Sequence, residues 1–469
     1  MKRILRQPWL WLFLQAAVLV TALWGLGRLQ PLRHPDAASY EQVDWSSLSD
    51  IWSGIRTPGY PLFLDAAQFL APAHRAVPPL QLAARILGVF ALYFGLRASG
   101  YRGWVALACA STLYYRDDLL RFIPNVLSDS LAASLALMSV GCFLVTDARD
   151  GKWNRWIPLV LLTFTTCLVR PAYLFLVPLW PLLTLLFDRL LWRRDRSCWY
   201  PLGKAILLAA GLVAPLLAVS VVRWGVVGHF GFVSFGGYNI VGIAGQLLDA
   251  PLVRELPAGS QRLAEEILRA RAQYPGFEPP TDFLAMERMY NVTVWDVSVP
   301  VAQQLYPGDT VAVNRALRDL SYQILAHRPA GYARWLCLNT LHAVSESAKI
   351  LATNMAVLLV LSLFCVVHAL QLLSGGTPAR KPCPLPAPDV RFRESHLLFW
   401  MALLFWMANC GLVALVEPTQ FRYMIIGNLL LPAALACFVA QYAVDTLAAA
   451  GTRGTRTRRE TGRQADEAS

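Results

Sequence analysis

The chain has 469 residues, 56% of them hydrophobic and only 15% charged, with 16 Trp. A soluble protein of this length carries about 25% charge, so a water-soluble globular fold is excluded for most of it and a lipid environment is implied. The net charge is +12, but it is spread over short loops between apolar segments, so a nucleic-acid partner is not expected.

In chain order, the first apolar segment, Trp9 to Leu26, is long enough to cross a bilayer. No small-residue cleavage site follows it convincingly, so it reads as a retained span. Beyond it lies the loop 29–76, with DAASYEQVDW followed by Arg56-Thr57-Pro58-Gly59-Tyr60-Pro61. Arg56 is able to grip a phosphate, the prolines stiffen the backbone, and Gly59 permits a sharp turn. Tyr60–Leu70 is apolar but too short to span, which suits a helix lying on the membrane surface. Apolar runs place further spans near 77–97, 103–117, 127–146, 155–170, 172–191, 203–224, 347–373, 396–416 and 422–446, ten with the first. The third and fifth are short.

Loop charge fixes the orientation. With the N-terminus inside, the cytoplasmic pieces carry Lys2, Arg3 and Arg6; Arg97 and Arg102; Arg149, Lys152 and Arg155; Arg189, Arg193, Arg194, Arg196 and Lys204; Arg380, Lys381, Arg391 and Arg393; and the Arg453–Arg463 tail. Both termini are then cytoplasmic. The outer face receives the loop 29–76, the turn around Arg116–Asp129, the segment 225–346 and the turn Glu417–Tyr423. Between Val226 and Arg334 there are 9 Lys+Arg against 10 Asp+Glu, so that segment lacks the inside bias.

Within it, Ser260–Tyr274 and Asp309–His327 show helical spacing, with Leu263, Ile267 and Leu268 on one stripe and Val313, Leu320 and Ile324 on the other. Asp309-Thr310 supplies a cap for the second. Asn291-Val292-Thr293 matches a glycosylation sequon, a pattern common by chance. The expected organisation is an N-terminal transmembrane module over 1–224, an outer subdomain over 225–346, C-terminal transmembrane helices over 347–446 and a basic cytoplasmic tail over 447–469. Ser374–Pro388 reads as a linker. Nine Cys and seven His show no metal-ligand spacing. The fold class is an all-α polytopic membrane protein with a small, mostly helical outer subdomain.

Ionisable groups near spans are costly and point to function. Here they converge on one side: Asp36 and Tyr40 after the first span; Arg116, Asp117 and Asp118 at the end of the third; Asp129 opening the fourth; Arg170 ending the fifth; Glu417, Arg422 and Tyr423 between the last two. Each has an ordinary alternative. The carboxylates suit helix caps or solvated span ends, the arginines suit headgroup contacts, and Tyr40, Trp45, Trp52 and Tyr60 suit an interfacial belt. His34 and His327 read as surface residues.

The ordered blocks DAASY, RTPGYPLFL, NVLSDSL, LVRPAYLFLVPLWPLL and FRYMIIGNLLLP resemble the GT-C polyprenyl-phosphate-sugar glycosyltransferases, which include the protein O-mannosyltransferases and the lipid A aminoarabinose transferase. The blocks run from residue 36 to about 435; the segment 225–346, with SFGGYNIVGIAG, matches no one subfamily. The resemblance implies a GT-C-like bundle and a catalytic carboxylate in the first outer loop, here Asp36. Where many members have an acidic pair this chain has Asp36-Ala37, leaving Asp44 or an acidic residue of the second outer loop to replace the partner. Asp117, Asp118 and Asp129 resemble the second-loop acidic motif. Arg422, then Arg170 and Arg56, are implied as lipid-phosphate ligands; Arg116, Tyr40, Tyr60 and Tyr423 complete the candidate site.

The implied reaction moves one sugar, a hexose or pentose, from an undecaprenyl-phosphate or similar donor to a lipid, glycan or protein acceptor, with inversion and with Asp36 as base. Arginine is worth most on the departing phosphate. No cofactor is required, though neighbouring carboxylates could hold a divalent metal. The Arg- and Ala/Leu-rich composition suggests a GC-rich bacterial source, hence an inner membrane and a periplasmic site. Two other classes are a lipid or glycan transporter, which favours mid-membrane charges and repeat symmetry, and a non-catalytic assembly protein, which gives no reason for Asp36, Arg56 and Arg422 to share a face; a nearer rival is an O-antigen ligase or polymerase, which favours longer basic outer loops.

Overall fold

A computed structural model of the chain describes residues 7–148, 153–187, 199–278, 281–373 and 388–444. Much of the basic inside set (Lys2, Arg3, Arg6, Arg149, Lys152, Arg189–Arg196, Arg380, Lys381), nearly all of the linker 374–388 and the tail 447–469 lie outside the described residues. Among the described residues the chain is helical throughout and forms no strand; a lone bridge joins Leu32 to Asn125.

Five helices are long and apolar enough to cross a membrane: α1 (Pro8–Gly25), then α3 (Val77–Ala98) after the shorter α2 (Gly59–Leu70), α5 (Ser128–Ala148) after α4 (Gly103–Ser111), and, further along, Trp199–Val227 and Pro388–Val416. Two bent pairs raise this to seven, Pro329–Thr353 with Met355–Ala369 at 65° and Phe421–Gly427 with Leu431–Val444 at 44°. The chain is therefore a multi-pass membrane protein. The expected ten full-length spans are not all formed at full length. The expected third span is the nine-residue α4, too short for a hydrocarbon core of about 30 Å.

The fifth and sixth become α6 (Ile157–Val169) and α7 (Leu176–Leu186), joined by a 3-10 turn over Pro171–Phe175. Proline explains the break between them. Pro171 disfavours helical geometry at the residue before it, and Arg170 is extended, at φ −152° and ψ 109°. The helix thus stops where an arginine stands.

One core runs through the membrane helices and includes Leu92, Leu96, Val140, Trp180, Phe405 and Leu430. Its closest approach is α3 against α5, where a Cβ on Gly141 would collide with the Ala91 backbone. α8 (Trp199–Val227), whose Leu208 and Leu212 belong to the first core, leads into a second, separate core built by α9 (Gly236–Leu247), α10 (Ala258–Gln273), α11 (Phe283–Asn291), a π-helical stretch over Val292–Ser298, and α12 (Thr310–His327). Tyr238, Val241, Ile267, Leu317, Leu320 and Trp335 fill it. Both expected helices are present, and the Asp309 side chain accepts from the Ala312 N–H at 2.8 Å as the cap. The Asn291 sequon lies inside continuous helix with Thr293 buried.

α13 (Pro329–Thr353) and α14 (Met355–Leu373) bend at Asn354, and α15 (Pro388–Val416) follows, then α16 (Phe421–Gly427) and α17 (Leu431–Val444). The last carbonyls of a helix have no partner of their own. Those of α15 are met by the second unit and α13: Trp335 Nε1 donates to the Ala414 carbonyl at 3.2 Å, Tyr332 Oη to that of Leu415 at 2.8 Å, and Tyr290 Oη to that of Val416 at 3.0 Å. Asn339 Nδ2 donates to the Glu417 carbonyl at 2.7 Å. This stitching joins the two cores at the turn that carries Glu417.

Candidate functional site

The first loop is pinned to both units. Arg223 of α8 donates to the Trp52 carbonyl at 2.9 and 3.0 Å, and Thr310 of α12 to that of Ser53 at 2.9 Å. α2 then packs on α6, where a Cβ on Gly59 would strike the Leu168–Val169 backbone. The glycine serves close approach rather than a left-handed turn. Phe69, Leu62 and Leu70 of α2 are exposed while Tyr60, Leu64 and Ala67 are buried, the one-sided pattern of a helix resting on lipid.

Four ionic groups from four distant parts of the chain form a row. Arg422 in α16 grips Asp129 with both sides of its fork, Nε to Oδ1 at 3.0 Å and Nη2 to Oδ2 at 2.8 Å. Its remaining nitrogen, Nη1, donates to Asp36 Oδ2 at 3.1 Å. On the other flank Arg170 Nη1 donates to Asp129 Oδ2 at 2.9 Å and to Ser128 Oγ at 3.1 Å. The row reads Asp36–Arg422–Asp129–Arg170, two anions and two cations. Asp129 is 5% exposed, and a buried carboxylate needs such bidentate pairing to stand. Arg170 Nε, also buried, has no partner.

Tyr40 extends the row, its hydroxyl 3.0 Å from Ser128 Oγ and its ring edge-on to Tyr60 with centroids 5.0 Å apart. The Arg56 guanidinium stacks 4.7 Å from the Tyr40 ring centre, and its Nε donates to Ser39 Oγ at 3.0 Å. Among the described residues Arg56 makes no ion pair. Its other face lies 5.7 Å from the Phe235 ring, which stacks on Tyr238.

A cavity of about 230 Å³ opens beside this row, and Tyr40, Arg56, Arg170, Asn239, Glu417 and Tyr423 line it. Membrane helices supply one wall and the second unit supplies Phe235 and Asn239. Burial pushes the Glu417 carboxyl above the ordinary glutamate range, against the pull of the Tyr423 hydrogen bond and of Arg170, Arg422 and Arg56. Asp36 stands at the far end of the row, 38% exposed and outside the cavity lining.

The structure thus brings together Asp36, Tyr40, Arg56, Tyr60, Asp129, Arg170, Arg422 and Tyr423. It sets the second-loop group elsewhere. Arg116 is wholly buried and forks onto Asp118, with Nε to Oδ1 at 3.0 Å, while its Nη1 donates to the Asn428 carbonyl at 2.7 Å. Asn354 Nδ2 donates to Asp118 Oδ1 at 3.1 Å, and Asn354 Oδ1 accepts from the Ala356 N–H at 3.0 Å. That knot caps α14 at its bend. Burial raises the Asp118 carboxyl, but Arg116 outweighs it and holds it below the usual range. Asp117 is exposed and pairs with Arg121 at 3.1 Å.

Asp44, the other candidate partner of Asp36, binds Ser46 locally at 2.7 and 2.9 Å. Among the described residues no group of three or more His, Cys, Asp or Glu is placed to hold a metal. The two carboxylates of the row are already neutralised by guanidinium.

Sequence reasoning left out Phe235 and Asn239 of the cavity wall and named Glu417 among the converging ionisable groups without placing it in the candidate site. The first two carry no motif; a glutamate directly after a long apolar span was the available signal for the third. A second cavity, of about 210 Å³, is almost wholly apolar and shares no lining residue with the first; Ala108, Thr112, Leu359, Leu363 and Val439 bound it. Compared with protein-family models, curated proteins and solved structures, the chain matches none.

Proposed function

We propose that the chain is a membrane glycosyltransferase of the GT-C type, moving one sugar from a polyprenyl-phosphate donor to a lipid, glycan or protein acceptor. In this reading the cavity faces the periplasm across a bacterial inner membrane, both termini are cytoplasmic, and the unit over 225–346 is periplasmic. The observation that carries it is the cavity itself. Two arginines, three tyrosine or phenylalanine rings and one carboxyl converge on a space at a membrane-helix end. Arginine suits a phosphodiester, and ring faces suit sugar.

The row gives each group a task. Arg170 and Arg56, which both line the cavity, would clamp the donor phosphate, Arg56 without a carboxylate partner of its own. Asp129 fixes Arg170 and Arg422 at once and so preorganises the clamp. The acceptor oxygen attacks the anomeric carbon, the bond from that carbon to the phosphate oxygen breaks, and the electron pair stays on the departing lipid phosphate. Asp36 takes the acceptor proton, since Arg422 engages only its Oδ2.

The test is turnover in reconstituted membranes with labelled polyprenyl-phosphate sugars, wild type against Asp36→Asn. Release of free lipid phosphate by wild type, lost in a variant that still folds and binds donor, is the expected result. Full activity of the variant removes Asp36 from the mechanism. No turnover with any donor sinks the transferase reading.

A further inference from the structure

We propose that Arg85 is the centre of a buried binding site for one small monovalent anion of the size of chloride, set between the Arg116 knot and the Asp129 row. The proposal is independent of the transferase reading and concerns charges that the transfer step does not use.

Arg85 stands on the inward face of α3, in register with Gln81, Leu82, Gly88, Val89 and Leu92, all buried. At a rise of about 1.5 Å per residue it lies about 12 Å along the helix from Val77, well inside a span long enough to cross the bilayer. A guanidinium at such a place is costly unless it is paired. Yet its only hydrogen bond among the described residues runs from Nη2 to the Leu113 carbonyl at 2.9 Å. Its Nε is buried without a partner, and among the described residues it makes no ion pair.

A count of charge leaves Arg85 in surplus. The groups within electrostatic reach of it are Arg116, Asp118, Tyr114 and Tyr173. Asp118, the one carboxylate of the set, is already forked by Arg116 and takes a further bond from Asn354. Two cations thus face one anion. The Leu113 carbonyl, just past the end of α4, supplies only the partial charge of a helix terminus, at most about half a unit.

The neighbours of Arg85 are donors in want of an acceptor. Tyr114 Oη and Tyr173 Oη are buried and unpartnered. So is the side-chain amide of Asn428, whose backbone carbonyl receives Arg116. Arg85 is 3% exposed, Tyr114 2%, and Tyr173 and Asn428 0%. Buried polar groups are normally paired, and here four side chains with spare donors surround one uncompensated cation. A water molecule would satisfy the donors but leave the charge. A single small anion satisfies both, accepting from the guanidinium and from the phenol hydroxyls. With so little surface open, a phosphate or an organic carboxylate has no way in, whereas a halide is close to water in size. Tyr173 also lies within reach of Arg170 and Asp129, so the ion's charge would be felt in the row as well as in the knot.

The experiment follows thermal unfolding of the full chain in detergent as gluconate, too large to enter, is exchanged for chloride at constant ionic strength and pH. Chloride should raise the melting temperature saturably by a few degrees, as a ligand that binds only the folded state does, and bromide should act alike. Arg85→Gln should lose the rise. Arg121→Gln, which removes an exposed arginine, should keep it with an unchanged half-saturating concentration. Tyr114→Phe, which deletes one hydroxyl and keeps the ring, should raise that concentration by about tenfold, and it tests the site even where Arg85→Gln does not fold.

A wild type equally stable in chloride and gluconate overturns the proposal. So does a chloride effect that survives Arg85→Gln, or one whose half-saturation Tyr114→Phe leaves unchanged, since either places the ion elsewhere. A rise abolished by Arg121→Gln marks a surface ion and overturns it too.

Discussion

Two buried arginine–carboxylate assemblies look alike in the sequence. One is the knot of Arg116, Asp118, Asn354 and the Asn428 carbonyl; the other is the row Asp36–Arg422–Asp129–Arg170. The knot is closed: Arg116 is fully buried and its nitrogens are used up on Asp118 and on the carbonyls of Ile425 and Asn428. The row is open at both ends, with Asp36 partly exposed and Arg170 Nε unpaired beside a cavity. A buried charge whose every partner is protein holds the fold together. One whose arginine lines a cavity and keeps a donor unpaired has capacity for a ligand.

Substitutions that treat the two assemblies alike should therefore separate them. The largest effect is expected for Asp118→Ala, which strands a buried guanidinium. It should lower unfolding free energy in detergent by about 3–5 kcal/mol, and a loss below about 1 kcal/mol would deny the knot its structural part. Arg170→Ala leaves Asp129 still forked by Arg422, so its effect should fall on turnover. A drop of about 10²–10³ in lipid-phosphate release is expected, with a melting temperature close to that of wild type. Comparable damage to stability from both substitutions would erase the distinction.

Asn354→Ala removes the cap of α14 and one partner of Asp118, and should cost about 1 kcal/mol or somewhat more, seen as a lower unfolding midpoint. The pH dependence gives a finer test. The folded Asp118 carboxyl titrates below its unfolded value. Its stabilisation is then complete above the unfolded pKa of about 3.9 and is lost as pH falls through the folded pKa. The stability gap between wild type and Asp118→Asn should be constant near neutral pH and close on acidification below about pH 4. A gap that widens on acidification contradicts the assignment. Asp117→Ala should change stability by no more than about 0.5 kcal/mol, because its partner Arg121 is exposed too.

Much of this was readable before any fold was known. Arg170-Pro171 announced a helix break, Asp309-Thr310 a cap, and the spacing in 309–327 a buried stripe, all of which are local effects of a few residues. The gathering of Asp36, Arg422 and Asp129 was expected from their places at the ends of apolar segments, and hydrogen bonds join them. What could not be read was which outer carboxylate meets which arginine. Asp118 and Asp129 both follow short polar turns, and only the bend at Asn354 and the placement of α16 assign one to the knot and one to the row. The shortness of the third apolar run was visible, but apolar composition alone does not say that α4 stops after nine residues.

The stitched end of α15 has a mechanical meaning. Rocking the second core, which includes Tyr290 and Trp335, against the last membrane helices would strip hydrogen bonds from the carbonyls of Val416 and Ala414 and leave them bare. It would also carry off the wall formed by Phe235 and Asn239. The two cores therefore move as a single stiff block around Glu417.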